Sequence, residues 1–231
     1  METGAGMSLP TLEVTYNASG AAEAGSRGRA VVIVDVVDSS TSAEAALAGG
    51  ALEVLGASPA GLRVPATVDP GAVGRRAASI AAKTGTDVIV VSEPRVATDE
   101  ERRARTLPVL QALRTAGVGY ELAPNQGAEL LRAVNPEGRL VVVVSATGGS
   151  AFDAALAAGA PAVGFATTAR IEGQTGWEVA GAGARRAIEV AREHRSGITI
   201  VAASANSTDD VLGSLEVARA VIAEGFLKLS T

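Results

Sequence analysis

The chain has 231 residues, a formal net charge of −5, 47% hydrophobic residues and no cysteine. Without cysteine neither disulfides nor thiolate chemistry are available, and the absence of a basic block argues against nucleic acid as the main partner. No apolar run approaches the ~18 residues of a membrane-spanning helix. METGAGMSLP at residues 1–10 lacks the charged and apolar regions of a secretory leader and is expected to be a frayed tail, and the absence of cysteine fits a cytoplasmic protein.

The apolar mass is mostly Ala and Val, with aromatic residues at 3%. That mixture suits helices packed closely on a sheet. In chain order, a weak strand (12–16) is followed by AVVIVDV (30–36), a helical pattern at 42–50 and a weak strand at 51–57. A helix at 70–85, the strand DVIVVS (87–92), a helix at 98–117 and a weak strand at 119–123 come next. The pattern ends with a helix at 125–134, the strand LVVVVSA (140–146), a helix at 149–159 and a weak strand at 161–166. Behind these come a helix at 176–194, the strand GITIVAAS (197–204) and a helix at 208–225. Four near-continuous β-branched runs read as strands buried on both faces, and helical spacers make parallel pairing the natural arrangement. The expected fold is α/β in three layers, a mostly parallel (mixed) sheet with helices on both faces, as one domain over 1–231. No fixed-period repeat stands out.

Loops that follow such strands carry the chemistry of open α/β folds. In AVVIVDVVDSSTS (30–42), an apolar run ends at Asp35, and Asp38 follows with Ser39, Ser40 and Thr41. Carboxylates and hydroxyls are the hard oxygen ligands that Mg²⁺ prefers, usually one or two acids with water and phosphate. Asp35 at the end of a buried strand needs a metal, donors or solvent. Asp38 reads equally well as a helix cap. SATGGS (145–150) has the ingredients of a phosphate cradle: hydroxyls on Ser145, Thr147 and Ser150, and close backbone approach at Gly148 and Gly149. No Gly-Lys-Ser/Thr follows, so it is not a P-loop. In SANSTDDV (204–211), Ser207 or Thr208 caps a helix whose first turn holds Asp209 and Asp210. In SEPR (92–95), Glu93 is a candidate ligand or base and Arg95 a candidate phosphate clamp, against a plain Pro94 turn. His194, the sole histidine, belongs at a helix C-terminus, Trp177 reads as a packing anchor, and 100–107 as a solvated face.

Taken in order, these segments resemble the 2-phosphosulfolactate phosphatase family. That family has a strand into Asp-x-Leu-Arg-Ala-Thr and a helix ending in Asn/Gly-Gly, matched here by VDVVDSST and AALAGGA. Its Gly-Glu-Arg, Asn-Ser-Pro and Thr-Thr-Asn-Gly-Thr elements correspond to VVSEPR, NQG (125–127) and VVSATGGS. Its last strand and acidic helix start correspond to ITIVAASANSTDDVL. Asp35, Glu93, Asn125, Gly148 and Asp209–Asp210 carry over as matching positions. The family arginine is Asp38 here, Pro94 displaces the second arginine to Arg95, and Thr147 and Gly149 replace the family Asn and Thr.

The resemblance implies a Mg²⁺-dependent phosphatase acting on a small acidic phosphomonoester, 2-phospho-3-sulfolactate or a relative, a step in coenzyme M biosynthesis. Asp35, Glu93 and Asp210 would be catalytic, and Asp35 with Asp209 or Asp210 would hold the metal. Asp38, Ser39, Ser40, Thr41, Arg95, Asn125 and the Thr147–Ser150 loop would bind substrate. The only partner implied is that small anionic phosphoester, with no nucleic acid and no membrane, and homodimerisation stays open. The alternative is a non-catalytic phospho-ligand-binding homologue, which the missing arginine favours. A haloacid-dehalogenase-type phosphatase requires Asp-x-Asp, and a dinucleotide-binding Rossmann protein requires Gly-x-Gly-x-x-Gly; neither motif is present at the first strong strand.

Overall fold

A computed structural model describes residues 10–228, so the expected tail at 1–10 lies, Pro10 apart, outside the described residues. The first half runs β1 (Leu12–Tyr16), α1 (Asn17–Ser26), β2 (Ala30–Val34), α2 (Ser39–Ala48), β3 (Glu53–Ala57), α3 (Pro70–Thr84), β4 (Val88–Ser92) and α4 (Asp99–Thr115). The second half runs β5 (Tyr120–Pro124), a 3-10 turn (Gly127–Arg132), β6 (Leu140–Val144), α5 (Gly148–Ala157), β7 (Val163–Phe165), α6 (Gly176–Glu193), β8 (Ile198–Ala202) and α7 (Thr208–Ala223). Thr98 with Glu101 and Thr175 with Glu178 form capping boxes that start α4 and α6. Ser207 caps α7 by accepting from the Asp210 N–H.

The strands form two four-stranded sheets, ordered β1-β8-β2-β7 and β3-β6-β4-β5. Every ladder is parallel. The mixed character expected from sequence is absent from the sheets; the one antiparallel pair among the described residues is the isolated bridge Ile171–Gln174. The four strong strands β2, β4, β6 and β8 are buried along their whole length. Helices α1 and α5 pack together, as do α3 and α4, and Asp153 of α5 accepts from the Asp69 N–H at the start of α3. On the opposite side α2 packs on the 3-10 turn and α6 on α7, and Glu44 of α2 pairs with Arg186 of α6. The result is three layers.

The chain is an internal duplication, which corrects the expectation of no repeat. Exchanging each strand for the one four places away turns β1-β8-β2-β7 into β5-β4-β6-β3, the second sheet read from its other end. Ala45-Ala46-Leu47-Ala48 recurs as Ala154-Ala155-Leu156-Ala157, and Arg75-Arg76-Ala77 as Arg185-Arg186-Ala187. Gly50 and Gly159 follow the equivalent helices α2 and α5 with φ of 87° and 91°, the left-handed region that favours glycine. Gly56 of β3 leaves room for stacked Phe152 and Phe165, whose rings lie 5.2 Å apart. The larger apolar cluster contains residues of both sheets, so the halves share a core.

One helix was not expected, and two local expectations fail. α1 was not legible because its buried face is Ala18, Gly20, Ala21, Ala24 and Gly25, too small for an apolar stripe. Those residues are small because a Cβ at Gly25 would lie 2.5 Å from the Ala155 carbonyl oxygen of α5. The helix expected at 125–134 is a short 3-10 turn. Trp177 is no packing anchor: it is 61% exposed. His194 sits, as expected, exposed at the C-terminus of α6.

Candidate functional site

β2 delivers Asp35 to the carboxyl edge of its sheet, where the residue is only 1% exposed. Its Oδ2 accepts three hydrogen bonds, from the Ser39 hydroxyl (2.7 Å), the Thr147 hydroxyl (2.6 Å) and the Gly148 N–H (2.7 Å). Among the described residues no group donates to Oδ1. The Asp35 N–H donates to Ser40 Oγ, which donates in turn to the Ile33 carbonyl. The loops after β2 and β6, equivalent in the two halves, therefore meet at this carboxylate. Gly148 permits the approach, since a Cβ there would lie 2.7 Å from Asp35 Oδ2.

Glu93 follows β4 and reaches the same place. Its Oε2 accepts from the Ala146 N–H and its Oε1 from Asn125 Nδ2, each at 3.3 Å. The Asn125 amide has its orientation set from behind: the Ser42 hydroxyl and, at 3.4 Å, the Gly127 N–H both donate to Oδ1. Burial, then the charge of Asp35, push the Glu93 carboxyl up to about 7, with Asp38 adding to the rise against the Ala146 and Asn125 donors.

Asp210, in the first turn of α7, is also buried, and its Oδ1 accepts from the Val36 N–H at 2.9 Å. Burial raises it to about 6, opposed by backbone donors and assisted by Asp35. Asp209 points elsewhere: it is exposed and makes no hydrogen bond to this group among the described residues. Asp38 does not cap α2 through its side chain. It pairs instead with Arg95 at 3.0 Å, joining the loops after β2 and β4.

The structure thus brings together Asp35, Asp38, Glu93, Arg95, Asn125, Thr147, Gly148 and Asp210. Several expected substrate ligands are consumed internally. Ser39 and Ser40 serve Asp35; Thr41 bonds the Val36 carbonyl and Thr167. The Gly149 N–H goes to Ser145 Oγ, and Ser150 meets the Ser58 hydroxyl. All five are buried, and a Cβ at Gly149 would lie 2.2 Å from the Ala57 carbonyl oxygen. The glycines of SATGGS accordingly bring protein against protein, and the Gly148 N–H expected to face a phosphate holds Asp35. Solvent reaches Asp38, Glu93, Arg95 and Thr147. Sequence reasoning missed Ser42 and the Ala146 N–H; Ser42 was visible as the last hydroxyl of the Ser-Ser-Thr-Ser run, but its partner Asn125 is far away in the chain.

Two further buried acids, equivalent in the duplication, belong to the scaffold. Glu44 is raised to about 7 by burial against the pull of Arg186. Asp153, raised by burial, accepts from the Ser58 and Asp69 N–H groups. Among the described residues no helix is long and apolar enough to cross a membrane. No protein-family model matches the chain, and no match is found among curated proteins.

Proposed function

We propose that the protein is a Mg²⁺-dependent phosphomonoester hydrolase, the activity implied by its resemblance to the 2-phosphosulfolactate phosphatases. The observation that supports this best is the grouping of Asp35, Glu93 and Asp210, in which burial and the charge of Asp35 raise the other two, and Asp35 has one carboxylate oxygen with no donor among the described residues. Such a group favours a divalent cation, because a cation relieves the repulsion that burial intensifies. Among the described residues no three His, Cys, Asp or Glu side chains converge into a metal cage. A cation here would rest on one or two carboxylates, with water and phosphate completing its shell, the coordination Mg²⁺ commonly takes. Asp35 and Asp210 would hold it. Bound there, the ion supplies charge neutralisation on phosphoryl oxygens and lowers the pKa of a coordinated water.

The chain's own residues supply the rest. Three donors fix Asp35 in place, so its charge needs little reorganisation during reaction. Glu93, whose carboxyl burial and then Asp35 raise to about 7 before any cation is bound, is placed to take a proton from water or return one to a leaving alkoxide. Arg95 is the accessible donor for phosphate oxygens. The test is release of inorganic phosphate from a panel of phosphomonoesters with and without Mg²⁺. Mg²⁺-dependent turnover is expected. Binding of phosphate esters with no turnover under any condition would replace this reading with that of a ligand-binding protein.

A further inference from the structure

A cavity of about 300 Å³ lies between the two sheets, toward the amino ends of the strands and so opposite the end that carries Asp35. β3 and β7 are edge strands, and no backbone hydrogen bond joins them among the described residues. Toward their carboxyl ends the gap is closed: a Cβ on Gly56 would lie 2.7 Å from Phe165 Cζ. Toward their amino ends it opens, between Val54 of β3 and Val163 and Gly164 of β7. Leu47 of α2 and Val190 of α6 extend the apolar wall. A Cβ on Gly164 would meet no atom within 4 Å, so the backbone of β7 borders open space. Two arginines line the same cavity, Arg76 of α3 and Arg186 of α6, which the duplication makes equivalent. Arg76 makes no hydrogen bond among the described residues; it lies 3.6 Å from Glu53, and both side chains are about half exposed. Arg186 uses only Nη2, which donates to Glu44 and to the Phe165 carbonyl oxygen. Its Nε and Nη1 have no partner among the described residues.

We propose that this cavity is a second binding site, for a small aliphatic monocarboxylate whose chain lies between β3 and β7 and whose carboxylate meets Arg76 and Arg186. The site is distinct from the Asp35 group, and the proposal does not depend on the phosphatase reading. Its volume falls at the lower end of the roughly 300–1,000 Å³ of small-molecule pockets. Apart from Phe165 the apolar wall is aliphatic, so it favours burial of methylene groups and offers the chain nothing to hydrogen-bond. A guanidinium presents planar paired donors that match a carboxylate, and both arginines keep donors free for one. Glu53 lines the cavity as well, and its charge disfavours a second anionic group on the ligand.

Isothermal titration calorimetry on the full chain at neutral pH compares hexanoate with 1-hexanol, hexylamine and acetate. Hexanoate is expected to bind one to one, about tenfold or more tighter than each of the other three, because only it has both the chain and the negative charge. Arg76→Gln should weaken hexanoate about tenfold and leave 1-hexanol unchanged, and Glu53→Gln, which frees Arg76, should tighten hexanoate. Gly164→Val puts methyl groups into the open space without meeting neighbouring atoms at Cβ. It should keep the circular dichroism spectrum and thermal midpoint of the wild type and lose hexanoate binding. No hexanoate binding at millimolar concentration, equal binding of 1-hexanol or hexylamine, or wild-type affinity in folded Gly164→Val overturns the proposal. If Gly164→Val does not fold, Arg76→Gln and Glu53→Gln, both at half-exposed side chains, decide it: hexanoate affinity unmoved by either substitution overturns the proposal.

Discussion

Replacing Asp35 by Asn changes one atom of a group that three hydrogen bonds hold in place. The amide oxygen can still accept from Ser39, Thr147 and Gly148, so the shape of the site survives. Each bond falls from charge-assisted to neutral, a loss of about 1 kcal/mol apiece or ~3 kcal/mol in all. Removing a buried carboxylate beside two others opposes that loss. Net destabilisation should therefore stay below ~2 kcal/mol, read from the urea midpoint. Turnover should collapse, because the cation loses its charged ligand; ~4 kcal/mol of barrier is about a thousandfold. The substitution also has a signature independent of activity. Asp35 is the second cause, after burial, of the raised Glu93 carboxyl. In Asp35→Asn the Glu93 titration should move down from about 7 while staying above its ordinary 4.5, because burial remains. Carbon-13 NMR of the Glu93 carboxyl, assigned through Glu93→Gln, measures this. A Glu93 midpoint unmoved by Asp35→Asn would refute the facing arrangement of the two acids.

Other expectations follow from the same geometry. Ser42→Ala leaves Asn125 Oδ1 with only its long bond to Gly127, so kcat should fall roughly tenfold, about one lost hydrogen bond to a charged group, with KM little changed; Ser42→Thr, which keeps the hydroxyl, should restore it. Gly149→Ala places a Cβ 2.2 Å from the Ala57 backbone oxygen and should cost ~2 kcal/mol or more in thermal or urea denaturation. Glu44, Glu93 and Asp210 are all raised in the folded state. The folded chain therefore binds protons more tightly than the unfolded one, and stability conferred at acid pH is lost as pH rises from about 4 to about 7, the span of the ordinary and raised values. Urea midpoints across that range should fall with pH, and Glu93→Gln should flatten the slope.

Much of the fold was legible because it is written in burial. The runs AVVIV, VIVVS, LVVVV and ITIVA are long enough and β-branched enough to be nothing but interior strands, and β1 coincides with its expected span. The duplication was hidden by divergence at the very loops that matter. Asp35 is answered in the second half by Ser145, and only Ala-rich helix segments and the Arg-Arg-Ala triplet keep the echo. Asp35, Glu93 and Asp210 were legible as acids directly beyond buried strands or in the first turn of the helix that follows one. The fate of the hydroxyls and glycines was not. Whether Gly148 cradles a phosphate or a neighbouring carboxylate depends on which loop lies opposite, and that is set by strand order. The same reason separates Asp209 from Asp210, since one helical step decides which of them faces Val36.

The most direct test is a Mg²⁺ titration of phosphate release from phenyl phosphate at pH 7, after the purified protein has been stripped with chelator. Saturable activation in the wild-type chain, absent in Asp35→Asn, is the expected result. Full activity of the stripped protein, or an Asp35→Asn variant that responds to Mg²⁺ like the wild type, would contradict a metal-dependent phosphatase site built on Asp35.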